Sequence, residues 1–333
     1  MSLDIDFFRL NAAPFRLTPD PDFWFESATH RKAMAYLGYG LALGEGFITI
    51  TGEIGAGKTT LLAHLLQTLD PTRVEAIELR PESPDAADIW RELGRSLSRL
   101  SGDEGSQDPA DVMTQIELRA RMGKRLLITV DEAQRLDDAA LDQLRLASNV
   151  QQGAQPVVQF LLLGQPELRD ALERPALAQL AQRVIASHHL EVMEDHEVSA
   201  YVLHRLRMAG AQGRPILDPL VAKSLYTHTL GVPRRINQIM SRVLLLAAMR
   251  EVDTITADLV EIVVAEQRAE QGLRLVRPEG TENAERQGDL TTRLLRLEQR
   301  LDAQEAALRR AVHLLVEWAE GNASGTPSRI PDA

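Results

Sequence analysis

The sequence predicts an α/β fold: a mainly parallel five-stranded sheet between helices, followed by an all-helical lid domain and a C-terminal coiled-coil helix. Three observations predict it. Short β-branched and leucine-rich runs alternate with helical patterns up to about residue 193, the strand signal then stops while helical periodicity continues, and a leucine heptad follows a polar gap near the end. Strands that alternate with helices need crossover connections, which make the sheet parallel and cover both its faces.

The first 45 residues read as an ordered lead-in packed on the core. Turn chemistry at Pro14 and Pro19-Asp20-Pro21-Asp22 is interleaved with Phe15, Phe23, Trp24 and Phe25, and a helical pattern follows at 29–43. Residues 46–193 form the α/β domain. Its strands are 47–51, 74–79, 126–130, 157–163 and 184–190; its helices include one through Leu61, Leu62, Leu65, Leu66 and Leu69, then 85–100, 109–122 and 138–148, with a polar loop at 101–108. Residues 194–272 carry four helical patterns, 194–209, 219–229, 233–250 and 256–271, with Asp218 and Thr256 where N-caps belong.

Residues 273–289 have little to bury and read as a linker. Over 290–319, Leu294, Leu301, Leu308 and Leu315 take a positions, while Leu290, Leu297, Gln304, Ala311 and Trp318 take d. One amphipathic helix docked on its own domain would show this pattern; a coiled coil that pairs chains or grips a partner would also, and the preceding linker favours the second. Residues 320–333 read as disordered.

Composition narrows the function. With 333 residues, 44% hydrophobic, the chain can bury a substantial core. Its net charge of -11 and 4% aromatic content argue against a protein that mainly neutralises phosphates or stacks bases, so nucleic acid is not the expected partner. The absence of cysteine excludes disulfides, thiolate metal sites and thiol nucleophiles. The N-terminus lacks the basic start of a secretory signal, and no apolar run approaches the roughly 20 residues that span a bilayer. The expected location is cytoplasmic, peripheral at the inner membrane. The eight histidines show no metal-binding spacing: His188 and His189 are adjacent on a strand and point to opposite faces.

The chemistry concentrates at Gly52-Glu53-Ile54-Gly55-Ala56-Gly57-Lys58-Thr59, followed by Thr60. This G-x-x-x-x-G-K-T run lies between an apolar strand and a leucine-rich helix, the context a phosphate-binding P-loop requires. Its glycines let successive N–H groups turn inward at phosphate oxygens, and the helix start adds its positive dipole end. Lys58 would reach the β- and γ-phosphates of ATP, and the Thr59 hydroxyl would ligate Mg2+. The second half of such a site is an acid at the end of an adjacent apolar strand. Asp131 and Glu132 follow the strand 126–130: Asp131 would hold the magnesium and Glu132 would polarise the attacking water, which favours hydrolysis over binding alone.

The P-loop, Asp131-Glu132-Ala133-Gln134, a further strand ending at a polar residue, an arginine before the last strand and a helical lid together resemble the AAA+ ATPases. That resemblance implies four further roles. Gln165, where the family more often has Asn or Thr, would sense the γ-phosphate. Arg183 would be an arginine finger reaching a neighbouring subunit's nucleotide, with Arg174 the competing candidate. Arg234, in Gly231-Val232-Pro233-Arg234-Arg235, would fold over the phosphates from the lid, with Arg235 as its neighbour or alternative. His30 would line the adenine pocket, or else lie on a helix surface. A homo-oligomer with nucleotide at subunit interfaces is implied.

More narrowly, Pro14-Phe15-Arg16-Leu17-Thr18-Pro19-Asp20-Pro21, 30–37, Gly44-Glu45-Gly46-Phe47, Gly164-Gln165-Pro166-Glu167 and Pro233-Arg234-Arg235-Ile236-Asn237 resemble secretion ATPases of the general secretion pathway protein A type, and among them those of exosortase and PEP-CTERM exopolysaccharide loci. The likeness covers about 7–271. Members of that type continue into a transmembrane helix and a peptidoglycan-binding domain; this sequence shows neither pattern, which leaves the heptad helix as the expected docking element. The function implied is an ATPase that drives or gates an envelope secretion or polysaccharide-export machine through its membrane proteins. Two other readings stay open: a DNA-handling ATPase of the transposition or initiator type, and a nucleotide-gated scaffold.

Overall fold

Runs such as Phe47-Ile48-Thr49-Ile50 place bulky or β-branched side chains on both faces of an extended chain, and only burial on both faces accommodates them. In the computed structural model, which describes residues 3–80, 84–101, 108–152 and 155–275, they become the middle of a sheet. Residues Met1–Gln267 form one compact unit and Arg268–Ala333 a second. The linker beyond residue 275, the heptad helix 290–319, the tail 320–333 and most of the loop 101–108 lie outside the described residues.

The elements in order are α1 (Leu3–Phe8), α2 (Ala28–Leu43), β1 (Phe47–Gly52), α3 (Lys58–Thr68), β2 (Val74–Leu79), α4 (Ala86–Ser101), α5 (Pro109–Arg121), β3 (Arg125–Val130), α6 (Asp138–Ala147), β4 (Gln151–Gln152), β5 (Gln155–Pro156), β6 (Val158–Gly164), α7 (Glu167–Leu172), α8 (Ala178–Ala181), β7 (Val184–Leu190), α9 (Asp195–Met208), β8 (Ile216–Leu217), α10 (Leu220–Thr229), α11 (Pro233–Met249), β9 (Thr254–Ile255) and α12 (Ala257–Leu275). The main sheet runs β2-β3-β6-β1-β7, and all its pairings are parallel. The expected five-stranded parallel sheet between helices is therefore what the chain forms.

Alternation along the strands splits the core in two. Phe47, Ile128, Val130, Phe160 and Leu162 face α4, α5 and α6 through Ile89, Leu93, Ile116, Leu141 and Leu144. Ile48, Ile50, Leu127, Leu161 and Leu163 face α2 and α3 through Leu37, Leu61 and Leu65. β1 and β6 are buried throughout, whereas the edge strands β2 and β7 are only partly covered.

Three differences from expectation have physical causes. The strand carrying the acidic pair, β3, is not adjacent to β1, because β6 pairs between them. The lead-in packs on the sheet-side core through α2 and Trp24, whereas Phe8, Leu10, Phe15 and Phe23 join Val198, Tyr201, Ile236, Met240 and Val243 of α9 and α11, whose apolar faces they bury. The segment after residue 193 is not purely helical either. β8 and β9 pair in parallel, and two-residue strands are too short to show a period. The N-cap of α10 is Pro219, and Asp218, one residue earlier, accepts from Leu220 N at 2.8 Å. Among the described residues no helix is long and apolar enough to cross a membrane.

Candidate functional site: the loop between β1 and α3

β1 ends at Gly52, and the next residues turn back into α3 at Lys58. Gly57, before Lys58, has φ 107°, a left-handed conformation that costs glycine little and other residues much. A Cβ at Gly57 would also lie 2.7 Å from His30 Nε2, so the loop and the α2 helix close on each other there. No side chain caps the start of α3, which leaves its first-turn N–H groups as donors for an anion. Ile54 at the loop tip is exposed, whereas Ala56 beneath it is buried.

Lys58 is buried, at 6% exposure, and its Nζ donates to the carbonyls of Gly52 at 2.7 Å and Glu53 at 3.1 Å. Burial pulls its pKa down, and the carboxylates of Glu132 and Asp131 pull it back up. Although β3 is one strand removed from β1, Thr59 Oγ1 donates to Asp131 Oδ2 at 2.8 Å. Glu132 has φ 55° and ψ 37°, a sparsely populated region for a residue with a side chain. Its amide donates to Asp131 Oδ1 at 2.9 Å, and its Oε2 accepts from Gln134 Nε2 at 2.6 Å and Gln165 Nε2 at 3.3 Å. Gln134 Oε1 accepts from Gln165 N at 3.0 Å, so three side chains from the ends of β3 and β6 are tied together.

From the helical segment, α11 begins at Pro233, and Arg234 N donates to Gly55 O at 3.2 Å. A cavity of about 170 Å³ lies between these elements, walled by Gly55, Gly57, Lys58, Thr59, Thr60, Glu132 and Arg234 together with Trp24 and His30. His30 is buried, and desolvation lowers its pKa to about 4 against the opposing charge of Glu197. Its Nδ1 lies 2.6 Å from Ser27 Oγ. Trp24 stands edge-on to it and stacks on His64 at 4.4 Å.

The structure brings the loop, the helix start, Lys58, Thr59, Asp131 and Glu132 together, with Gln165, Arg234 and His30 beside them. Arg183 and Arg174 lie elsewhere. Arg183 Nη1 donates to Ser148 Oγ at 2.9 Å, and its carbonyl accepts from Phe47 N, which puts it at the start of β1, a strand's length from the loop. Arg174 pairs with Asp138 at 2.8 Å. Sequence reasoning gave no role to Gln134, although it stands two residues after Glu132, or to Trp24, His64, Arg16 and Arg205, which no spacing connects to the loop.

The donor set fits a nucleotide with magnesium: free helix-start amides and two cations suit a polyphosphate, and a hydroxyl beside a carboxylate suits a hard divalent ion. The strand order, with the loop after β1 and the acids after β3, defines the P-loop AAA+ fold. Residues 42–172 match the family model described as AAA domain. The chain is 38% identical over 247 residues to General secretion pathway protein A of Aeromonas hydrophila; the match covers 73% of this chain and 45% of that protein, so the chain spans about half the length of its curated relative. Among solved structures it resembles the Aeropyrum pernix ORC2 protein in its ADPNP-ADP complexes (TM-score 0.56, 18% identity, 75% of this chain and 72% of that one). It also resembles Drosophila ORC bound to DNA (TM-score 0.59, 16% identity, 84% and 69%). At these identities the structural likeness concerns the fold alone.

Proposed function

We propose that this chain binds ATP with magnesium at the β1–α3 loop, hydrolyses it, and uses turnover to drive or gate an envelope secretion machine. The observation that carries the proposal is the contact of Thr59 with Asp131, because it joins the phosphate loop to a second acidic element whose next residue, Glu132, brings a carboxylate to the same cavity. The loop amides and Lys58 hold the phosphate chain. Thr59 and Asp131 would hold the magnesium, which when bound neutralises charge on the phosphate oxygens. Glu132 takes the proton of the attacking water, and Gln134 and Gln165 fix its carboxylate through the bonds to Oε2. Gln165, beside Glu132, monitors the terminal phosphate, and Arg234 approaches from the helical segment.

Arg183 lies about 16 Å along β1 from the loop, given roughly 3.3 Å per residue, too far to serve the nucleotide of its own chain. Its role as an arginine finger therefore requires an assembly with nucleotide at subunit interfaces. The likeness to General secretion pathway protein A supports a secretion role, and the motifs from Pro14 to Asn237 support the narrower reading of an exopolysaccharide-export system. ATP hydrolysis by concentrated protein, with and without membranes, tests the enzymatic part. Lys58→Ala should abolish nucleotide binding, and hydrolysis that survives this substitution would exclude the loop as the site.

A further inference from the structure

The segment 14–25 lines the site along much of its length. Arg16, Asp20 and Trp24 share the cavity of about 170 Å³ with Lys58 and Arg234. Thr18 and Pro19 also line the adjoining cavity of about 590 Å³ together with Thr59, Asp131 and Glu132. This one stretch therefore runs from the aromatic end of the pocket, at Trp24 and His30, to its hydrolytic end.

Its backbone is held from the helical segment. Arg205, buried at 6% exposure, donates through Nε to Pro14 O at 2.6 Å and through Nη2 to Arg16 O at 3.4 Å, with its guanidinium 4.7 Å from the Phe23 ring. Asn237 Nδ2 donates to Arg16 O at 3.3 Å, and Tyr201 donates to Asn237 Oδ1 at 2.7 Å. A buried arginine spent on two backbone carbonyls fixes a strap rather than an ion pair. The Arg16 side chain is bound far less firmly. It is 47% exposed, reaching Ala13 O at 3.4 Å and Asp20 Oδ2 at 3.8 Å, both long.

We infer that Arg16 is a nucleotide-binding residue: carried on a strap positioned by Arg205 and Asn237, it offers its guanidinium, with Lys58 and Arg234, to the phosphate chain. The inference rests on the nucleotide site proposed above. The cavity is also lined by Lys58, Arg234 and the carbonyl-bound Arg205, and the Arg16 guanidinium meets its ion-pair partner, Asp20, only at 3.8 Å; a polyphosphate provides a closer partner with matching forked geometry.

Calorimetric titration of the full chain with ATP, ADP and adenosine tests it, comparing Arg16→Lys, Arg16→Gln and Arg16→Glu. Affinity for ATP and ADP should fall in that order, by about tenfold or more for the Gln variant. Adenosine, which lacks phosphates, should bind all variants alike. Equal ATP affinity across the series, or an equal loss for adenosine, would overturn the inference. Lys58→Ala separates the two claims: if it abolishes ATP binding while the Arg16 series binds normally, only the role of Arg16 fails, and if it binds ATP normally the site itself fails.

Discussion

Glu132 pairs a carboxylate with a left-handed backbone, and the two can be tested apart. Glu132→Gln keeps the backbone and both glutamine contacts, so its thermal midpoint should stay within a few degrees of wild type. His30 makes a different prediction at the residue scale. Its folded pKa of about 4 lies below its unfolded value of 6.5, so the unfolded state binds the extra proton first. The neutral form therefore contributes stability that is present above pH 6.5 and is lost as pH falls toward 4, to the extent of about 3 kcal/mol. Urea denaturation of wild type and His30→Gln across that range should show the difference between them shrinking as pH drops; a constant difference would mean the imidazole does not titrate this way. Neither feature was readable from the sequence, since a positive φ and a buried imidazole both depend on which segments fold over one another.

At the scale of elements, Gly231 joins the end of α10 to the start of α11 with φ 75°, and a Cβ there would overlap the carbonyl oxygen of Met193. Met193 N in turn donates to Gly231 O at 3.1 Å, so this turn fastens the β7–α9 connection to the helix that carries Arg234. Gly231→Ala should lower stability by at least about 2 kcal/mol, measured as a shift in the urea midpoint. A change within error would show that the connection yields. The strands were legible because each is a dense apolar run, and the P-loop because glycine spacing is a local property. The packing of Phe8, Phe15 and Phe23 on α9 and α11, and the strand β6 inserted between β1 and β3, were not, because periodicity gives an element's apolar face but not the face it meets. Gln134 lies within the run Asp131-Glu132-Ala133-Gln134, and only the turn at 133–135 reveals that its side chain reaches Glu132.

For the whole molecule, the distance of Arg183 from the loop of its own chain makes a prediction about assembly. Arg183→Ala and Glu132→Gln should each be nearly inactive, with losses of order 10³ for an arginine finger and 10² to 10⁴ for a general base. Mixed, they should recover part of the wild-type rate, because one chain supplies the carboxylate and the other the guanidinium; no recovery at any ratio would place Arg183 outside catalysis. Underneath this lies the claim that Glu132 turns a nucleotide site into a hydrolytic one. Single-turnover hydrolysis of bound ATP tests it most directly: Glu132→Gln should bind ATP with wild-type affinity and cleave it at least about 100-fold more slowly, whereas cleavage at the wild-type rate would contradict the account.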